Sequence, residues 1–342
     1  MQALRAGCGA GRRVTGDHLA GSILGQALGD ALGFVVEAEP PEVAGGYVDE
    51  WLRAGRAAER SNPRFPFGQY SDDTQLAREL LLSFRERRGW NPSAFAERLA
   101  QLFGARRDVG AGRGTRSAAL RLLTGVPWFE SGTPAPYAGN GSAMRAAPLG
   151  LLLADRAEIC RAAQEQSRIT HLDPRCAAGA VAVACAVALA ARPGPVRTNQ
   201  FLDEIAGCAA ADDGSVAQAI TGLAGWVSMD PVAAGRHVHE SGLDPEHPRW
   251  QGISAFVTPS VLWSLYAFLR SPDDYWETIC TAIGVGGDTD TMAAIAGAIS
   301  GARLGVAALP QELLSHLTDQ GDWGAEELAE LAHSCTAIAG RD

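Results

Sequence analysis

Residues 284–291 combine glycines, two carboxylates and two hydroxyls within one short stretch of the chain. Asp288, Thr289, Asp290 and Thr291 occupy four consecutive positions there. Oxygen ligands at this density suit a hard cation such as Mg²⁺ or Mn²⁺ better than zinc, which prefers histidine and cysteine. Because the following residues are small and apolar, we predict a helix that begins at Asp290 and Thr291. Asp and Thr also cap helices without binding any ion, but a cap needs one oxygen and this stretch offers four.

A second acidic cluster has the same arrangement. Ser71, Asp72, Asp73 and Thr74 precede an apolar helix that we predict to run to Arg85. Adjacent carboxylates such as those of Asp72 and Asp73 repel each other unless cations lie between them. We therefore expect the two clusters, which lie far apart in the sequence, to form the halves of one site. Four aspartates with flanking hydroxyls can hold two metal ions about 3.5–4 Å apart, the geometry of two-metal hydrolysis.

The composition limits both the domain organisation and the partners. A length of 342 residues favours about two domains. No linker-like stretch separates the two clusters, however, so we predict one helical domain over residues 16–342 and a disordered tail over residues 1–15. The net charge of −10 argues against a nucleic-acid groove or a membrane surface as partner. A phosphate-bearing small ligand is still compatible, because backbone amides can hold phosphate without basic side chains.

The cysteines indicate a reducing compartment. The chain has seven, an odd number, with no Cys-x-x-Cys spacing and mostly within apolar helical segments. We predict that they are buried free thiols, and hence that the protein is cytoplasmic. The N-terminus has no apolar core of a secretory signal before Leu19. The longest apolar run, residues 176–191, is short for a membrane span, so we predict a central buried helix there.

Glycine stripes mark two helices that must approach each other closely. In the first predicted helix, at about residues 17–32, glycines recur at every fourth position from Gly21 to Gly33. Each interior glycine costs about 0.5–1 kcal/mol relative to alanine, so this helix needs another backbone packed against it. Transmembrane dimers use similar stripes, but the polar residues of this segment argue against that alternative. The last core helix carries Gly297, Gly301 and Gly305 at the same spacing and is the expected partner.

The remaining pattern is helical, without the alternation that is typical of strands. Further helices are predicted at about residues 94–103, 115–124, 176–191, 200–210, 213–228, 255–270, 273–283, 288–304 and 324–339, with an apolar helix directly after Arg145. We therefore predict an all-α fold, a compact orthogonal multi-helix bundle with a binuclear metal site where helix ends meet.

Three further segments are candidates for the site. Glu37 precedes a proline break, and a glutamate on such a mobile loop matters only if the metal site lies nearby. The glycines of residues 139–141 can present backbone N–H groups to an anion, although Asn-Gly turns are also common before helices without a ligand. His171 lies in a short loop, where a lone histidine usually satisfies a structural hydrogen bond. Residues 110–115 resemble a dinucleotide fingerprint only superficially, because no strand precedes them.

Together, these motifs resemble the ADP-ribosylglycohydrolase family, which includes the dinitrogenase-reductase-activating glycohydrolases. The matching segments are residues 25–33 with Glu37, residues 70–74, residues 139–145, Thr170 with His171, and residues 286–291. Their combination and order are specific even though each piece alone is not. The resemblance implies an all-helical hydrolase with two Mg²⁺ or Mn²⁺ ions. It would cleave the glycosidic bond between ADP-ribose and a modified acceptor, which can be arginine, serine or nucleic acid, and release ADP-ribose.

The resemblance also implies a role for each motif residue by position. The implied metal ligands are Ser71, Asp72, Asp73, Asp288, Asp290 and Thr291. The implied substrate-binding residues are Gly139, Asn140, Gly141, Ser142, Met144 and His171. The implied catalytic residues are Glu37, Asp73 and Asp290, with Glu37 matching the flap glutamate of the family. Ser71 stands where some members have threonine, which leaves metal ligation possible.

Two other functions fit the same residues. One is a different two-metal hydrolase, acting on a phosphoester or a free ADP-ribose derivative, and cleavage of a P–O bond would favour it. The other is a non-catalytic ADP-ribose binder, which we expect to have lost acidic ligands that this chain keeps. For the hydrolase we expect an ADP-ribosylated substrate, ADP-ribose as product, no membrane and no dedicated nucleic-acid groove as partner, and a monomeric protein.

Overall fold

A computed structural model describes residues 16–241 and 251–340, so the predicted tail at residues 1–15 lies outside the described residues. Within the described ranges the regular elements are helices, with only isolated bridges between loops, and the fold is all-α as predicted. The α-helices in chain order are α1 (Gly16–Gly33), α2 (Pro41–Tyr47), α3 (Asp72–Arg87), α4 (Pro92–Gly104), α5 (Arg113–Leu123), α6 (Leu149–Leu152), α7 (Arg156–Thr170), α8 (Pro174–Ala190), α9 (Thr198–Ala209), α10 (Gly214–Gly222), α11 (Pro231–Glu240), α12 (Val257–Arg270), α13 (Tyr275–Gly284), α14 (Thr289–Leu304), α15 (Gln311–Leu314) and α16 (Ala325–Ala339).

Helices α1 and α14 pack backbone to backbone in antiparallel directions. A Cβ atom added at Gly25 would lie 2.5 Å from the carbonyl oxygen of Gly297, and Gly21 faces the carbonyl of Gly301 in the same way. At the other end of the pair, Thr289 Oγ1 donates a 2.8 Å hydrogen bond to the carbonyl of Gly33. The close approach predicted from the two glycine stripes is therefore confirmed. It places the start of α14 beside the end of α1.

Two apolar helices form the centre of the described fold. By length and composition the segment 16–36 could cross a membrane, but 94% of its apolar stretch is buried within the protein. Core helices share this length and composition, and α1 is packed against α3, α14 and α16. The central helix predicted at residues 176–191 is α8, whose alanines and valines are almost all buried. Helices α7, α9 and α12 pack around it.

Several helices differ from the prediction for reasons of proline chemistry and capping. The prediction of an apolar helix directly after Arg145 was wrong. Turns follow Arg145 instead and lead to the four-residue α6, whose N-cap is Pro148. Proline disfavours helical backbone in the residue before it, which explains the interruption. Helices α2, α7, α11 and α15 were not predicted. Two of them begin with proline at the first position, Pro41 and Pro231, where the missing N–H costs nothing.

The helix predicted at residues 213–228 is shorter than expected. The α-helix α10 ends at Gly222 and continues as a single 3₁₀ turn, Leu223–Gly225. Two glycines within four residues explain this end, because glycine is unfavourable in a helix interior. The other predicted helices are present with ends that move by a few residues.

Candidate active site

The two acidic clusters meet at the N-termini of α3 and α14. Carboxylate oxygens of Asp30, Asp73 and Asp290 lie within 4.8 Å of one another, and so do those of Glu37, Asp288 and Asp290. Asp290 belongs to both groups, so the acidic side chains form one continuous cluster. The sequence prediction that the two helix starts come together is borne out by this geometry.

Capping does not account for the acidic residues of α14. Asp288 occupies the N-cap position of that helix, but its side chain makes no capping hydrogen bond. At α3 the cap is Ser71, whose hydroxyl accepts a 3.2 Å hydrogen bond from the backbone N–H of Asp73. The same hydroxyl donates to Asp73 Oδ2 at 2.8 Å, and Thr291 Oγ1 approaches that oxygen at 3.4 Å. Asp73 Oδ2 thus connects the two helix starts.

Asp30 is a site residue that sequence reasoning missed. Its buried carboxylate accepts hydrogen bonds from the backbone N–H of Ser71 at 2.8 Å and of Thr74 at 3.0 Å, and from Thr74 Oγ1 at 2.7 Å. Burial raises the pKa of Asp30 to about 6, against the opposing effect of these hydrogen bonds. The sequence feature that could have revealed Asp30 is its position inside an apolar, glycine-striped helix, where a charged group needs a partner.

The glycine loop before α14 also holds Glu37. Gly286 and Gly287 have φ angles of +71° and +89°, a region that other residues rarely adopt. The N–H of Ala38 donates to the Gly287 carbonyl at 2.8 Å, and the N–H of Gly287 donates to the Glu39 carbonyl at 2.9 Å. The sequence placed Glu37 on a mobile loop, whereas these bonds fix the backbone beside it to the Asp288 loop.

The electrostatics of the cluster favour a bound cation. Burial raises the pKa values of Asp72, Asp73 and Asp290 well above the usual range, and repulsion from neighbouring carboxylates raises them further. Burial likewise raises the pKa of Glu37 to about 7, with further contributions from the charges of Asp288 and Asp30. Each shift means that the ionised form is destabilised where it stands. A divalent ion would attract the carboxylates and thereby stabilise their ionised forms.

Three carboxylate oxygens have no hydrogen-bond partner among the described residues. They are Asp72 Oδ2, Asp73 Oδ1 and Asp290 Oδ1, and all three are buried. An unpaired buried polar atom is unfavourable, and an unpaired charge more so. The donors are oxygens only, which is the set that hard divalent ions prefer. The residues present therefore fit metal ions, and the aspartate groups could hold them.

The cluster forms the floor of a cleft of about 280 Å³. This volume lies near the lower end for ligand pockets. The lining residues are Glu37, Asp72, Asp73, Gly110, Gly112, Arg113, Thr115, Tyr137, Gly139, Asn140, Gly141, Met144, His171, Ala255, Asp288, Asp290 and Thr291. A cavity of about 770 Å³ lies elsewhere, between α2, α11 and α13, and no predicted site residue lines it.

Four of residues 139–144 line one wall of the cleft, namely Gly139, Asn140, Gly141 and Met144. A Cβ atom added at Gly141 would lie 2.9 Å from Thr115 Oγ1 and 3.0 Å from the His171 ring, so only glycine leaves the wall open. The Asn140 side chain donates a short hydrogen bond to Asp288 Oδ2, which makes it a neighbour of the acidic cluster as well. Ser142 differs, because its hydroxyl turns away and donates to the carbonyl of Cys176 at 3.1 Å.

His171 is neutral and is held in one orientation. Burial, reinforced by the nearby positive charge of Arg145, lowers its pKa to about 3. Arg145 donates to Thr170 Oγ1 at 2.7 Å, and that hydroxyl lies 2.8 Å from His171 Nδ1. Arginine can only donate, so the hydroxyl accepts from it. Among the described residues, Nδ1 is the acceptor that the hydroxyl's own hydrogen can reach, so we assign that hydrogen to Nδ1. His171 Nε2 then carries the ring hydrogen on the side of Gly139 and Gly141.

The predicted residues are thus largely assembled in one place. Glu37 and the four aspartates of the two clusters line the cleft together with Thr291, Gly139, Asn140, Gly141, Met144 and His171. Ser71 and Ser142 lie behind the wall and are fully buried. Their roles in metal and substrate binding remain predictions. Sequence reasoning also missed Gln26, whose side-chain amide donates to the carbonyls of Asp73 and Met144 and so ties the acidic floor of the cleft to the wall at residues 139–144.

Comparisons with known proteins agree with this geometry. The family model described as ADP-ribosylglycohydrolase matches residues 12–341. An uncharacterized protein of Archaeoglobus fulgidus is 32% identical, over 91% of this chain and 93% of its own. ADP-ribosylhydrolase ARH3 of Bos taurus is 29% identical, over 96% of this chain and 95% of its own. ADP-ribosyl-[dinitrogen reductase] glycohydrolase of Rhodospirillum rubrum is 27% identical, over 95% and 98% respectively.

The three-dimensional comparison leads to the same group of proteins. The structure of an ADP-ribosylglycohydrolase-related protein complex superposes with a TM-score of 0.71. It shares 26% sequence identity, and the superposition covers 95% of this chain and 98% of that one. The similarity in fold therefore extends over nearly the whole chain.

Proposed function

The chain belongs to the ADP-ribosylglycohydrolase family, and from this premise we propose that it is a metal-dependent hydrolase of ADP-ribosylated acceptors. It would cleave the glycosidic bond between ADP-ribose and the acceptor and release ADP-ribose. The acceptor would be a protein side chain such as arginine or serine, or nucleic acid. The observation that carries the proposal is the convergence of three buried, unpartnered aspartate oxygens on the floor of a cleft.

We propose two Mg²⁺ or Mn²⁺ ions as the cofactor. The residues that would hold them are Ser71, Asp72, Asp73, Asp288, Asp290 and Thr291, with Asp30 behind them. When bound, such ions bind sugar hydroxyls and lower the pKa of water in the site. The support is the donor set, which consists of oxygens only, and the mutual repulsion of carboxylates that otherwise lack a counter-charge.

Glu37 is the carboxylate that we assign to proton transfer. It is the half-buried member of the cluster, whereas Asp73 and Asp290 are at most 4% exposed. A water entering the cleft therefore meets Glu37 first, and a carboxylate in that position can take its proton during attack. The aspartate charges would stabilise the positive charge that develops at the ribose carbon as the bond to the acceptor breaks. The acceptor leaves on the open side of the cleft.

The glycine wall and His171 would orient the substrate. Gly139 and Gly141 carry no side chain, so the diphosphate can approach their backbone. The Nε2–H of His171 lies beside both glycines as a neutral donor, which suits an anion without requiring a basic surface. The cleft volume suits the distal ribose with its phosphate. The adenosine end would then lie at the rim near Tyr137.

Release of ADP-ribose is the direct test. The purified chain is incubated with arginine-, serine- and nucleic-acid-linked ADP-ribose in the presence of Mg²⁺ or Mn²⁺, and the products are separated by chromatography. We expect free ADP-ribose from at least one linkage, lost on chelation and restored by adding back metal. No release from any linkage by a folded protein would contradict the proposal. Products of P–O cleavage would indicate a phosphoester hydrolase instead.

We further propose that the protein is cytoplasmic and monomeric. The support for the first is that the six cysteines in the described part of the chain are free thiols, as expected in a reducing compartment. Sedimentation of the purified protein tests the monomeric state, with a single species of monomer mass as the expected result. Fractionation of the source cells tests the cytoplasmic location.

A further inference from the structure

Three cysteines from three different helices converge at one point, away from the cleft. Cys160 lies on α7, Cys185 on α8 and Cys208 on α9. Their Sγ atoms all lie within 4.8 Å of one another, and those of Cys160 and Cys185 are 4.0 Å apart. The sequence contains no Cys-x-x-Cys spacing, so the cluster is produced entirely by the packing of these helices.

The spacing of the sulfurs matches thiolate coordination. With metal–sulfur bonds of about 2.3 Å, three sulfurs arranged around one ion lie roughly 4 Å apart. A disulfide needs its sulfurs about 2 Å apart, so no pair here is bonded. The helices therefore hold the three thiols near the separation that a shared ion requires.

A positive charge stands beside the cluster. Arg156 begins α7, and its Nε–H donates to Cys208 Sγ at 3.0 Å. Three thiolates around a divalent ion carry one net negative charge, which a neighbouring guanidinium can offset. Arg156 is itself held by the carbonyl of Glu204, so its position does not depend on the sulfur alone.

Among the described residues the cluster is most accessible at Cys160. Cys185 and Cys208 are buried, whereas Cys160 is partly exposed and would be the side from which an ion enters. His171 is the C-cap directly after α7, and at a rise of about 1.5 Å per residue the stretch from Cys160 places the cluster roughly 16 Å from the cleft wall. Sulfur and oxygen donors also select different ions, so the two sites need not compete.

We propose that Cys160, Cys185 and Cys208 form a three-thiolate site for a thiophilic d¹⁰ cation, Zn²⁺ or Cu⁺. Helices α7 and α8 form a hairpin whose connection lies at His171. The ion would join α7, α8 and α9 at the opposite end of that hairpin. The site is independent of the acidic cluster in both residues and chemistry.

Metal titration of the full-length, reduced protein tests the site. Cd²⁺ serves as the spectroscopic probe, because charge transfer from thiolate to cadmium absorbs in the ultraviolet and carboxylate binding gives no such band. Excess Mg²⁺ is present to occupy the acidic cluster. We expect the band to saturate at one equivalent. Separate arms add Zn²⁺, or Cu⁺ against a coloured chelator, to identify which ion displaces cadmium.

Matched variants locate the site. Cys185→Ser should weaken cadmium binding by more than about 100-fold, because loss of a ligand exceeds the 10–100-fold effect of losing a residue that supports one. Arg156→Gln should weaken it by about 10–100-fold. Cys335→Ser, at a buried cysteine on α16, should leave it unchanged. Cys160→Ser changes the partly exposed member and repeats the test if Cys185→Ser does not fold.

Three outcomes would overturn the proposal. The first is the lack of a charge-transfer band in the folded wild-type protein. The second is a band that survives in both Cys185→Ser and Cys160→Ser. The third is a disulfide between two of the three cysteines that forms in air while the amount of bound metal stays the same. Such a result would make the two cysteines a redox pair instead of metal ligands.

Discussion

The carboxylate of Asp30 accepts a 2.8 Å hydrogen bond from the backbone N–H of Ser71, so α1 fixes the first turn of α3. The same helix packs against α14 through its glycine stripe, and Thr289 donates to Gly33 at the end of that contact. Both acidic helix starts are therefore positioned by one helix. The distances within the carboxylate cluster depend on how α1 sits between its two neighbours.

Asp30→Ala should disturb both stability and the site. The change leaves the backbone N–H groups of Ser71 and Thr74 without their acceptor, and each unsatisfied buried donor costs about 1–3 kcal/mol. We expect a loss of about 2–5 kcal/mol in the free energy of unfolding, measured by urea denaturation. Asp30→Asn keeps one acceptor oxygen and should lose less. Equal stability of the two variants would show that these hydrogen bonds do not hold the helix start.

Asp73→Ala and Asp290→Ala should each abolish ADP-ribose release. Both residues contribute buried, unpartnered oxygens to the cluster, and both changes relieve carboxylate repulsion rather than create it. Helical content by circular dichroism should stay near wild type while metal binding by calorimetry weakens. Asp203→Ala, at an exposed aspartate on α9, is the matched control and should keep full turnover. Turnover retained in both site variants would contradict the ligand assignment.

The metal-free protein should lose stability as the pH rises. The folded-state pKa values of Asp30 and Glu37 are raised to about 6 and about 7, from ordinary values of 3.8 and 4.5. The folded state therefore binds more protons than the unfolded state between about pH 4 and 7, and this stability is lost as the pH rises through the folded pKa. His171, with its lowered pKa, acts in the opposite sense below about pH 6.5.

Thermal unfolding after chelation measures this dependence. We expect the Tm of the chelated protein to fall between pH 6.5 and 8, and added Mg²⁺ or Mn²⁺ to raise it most at the upper end. Asp290→Asn removes one of the repelling charges and should raise the Tm of the chelated protein while removing the response to metal. A chelated protein whose Tm rises steadily with pH would argue against the carboxylate repulsion.

Sequence reasoning reached the site because its signals are local. The oxygens of Asp73 and Asp290 sit at helix starts that can be recognised from the residues around them, and the spacing from Gly21 to Gly33 specifies a close helix pair. Both patterns depend on a few consecutive residues or on one helical period. That the two segments meet followed from one further argument, the repulsion of adjacent carboxylates, and the structure brings the two segments together.

What could not be predicted depends on tertiary contacts. Asp30 receives its partners from the start of a different helix, and Gln26 bridges the first turn of α3 and the segment at Met144, so neither role is visible in a linear pattern. Ser142 stands within the segment predicted to bind substrate, yet its hydroxyl donates to the carbonyl of Cys176 on α8, a contact that only the tertiary structure reveals. The cysteine cluster is the extreme case, since its members are brought together only by the packing of three helices.

Glu37→Gln should reduce turnover more than ligand affinity. The change keeps the size and hydrogen-bonding capacity of the side chain but removes the carboxylate that would take the proton of the attacking water. We expect kcat to fall by about 100-fold or more, within the range that general acid–base catalysis contributes, with little change in the Kd for ADP-ribose. Glu42→Gln, at an exposed position of α2, is the control. A collapse of affinity with kcat preserved would make Glu37 a binding residue.

Gly25→Ala tests whether the helix pair controls the site. A Cβ atom at this position would lie 2.5 Å from the carbonyl oxygen of Gly297, a contact that requires the two backbones to separate. Overpacking of this kind costs about 1–3 kcal/mol or more, so we expect lower stability in urea denaturation. Gly46→Ala is the matched control, because a Cβ atom there meets nothing within 4 Å and α2 should gain about 0.5–1 kcal/mol.

The decisive measurement on Gly25→Ala is metal affinity rather than stability. Gly25 is not among the predicted ligands, but it lies at the contact between α1, which carries Asp30, and α14, which carries Asp290. Separation of the two helices must therefore lengthen distances within the carboxylate cluster. Metal affinity should therefore fall in Gly25→Ala, under conditions where the variant is fully folded, and stay unchanged in Gly46→Ala. If Gly25→Ala is destabilised but binds metal as tightly as wild type, the cluster is positioned by its own loops and not by the contact between α1 and α14.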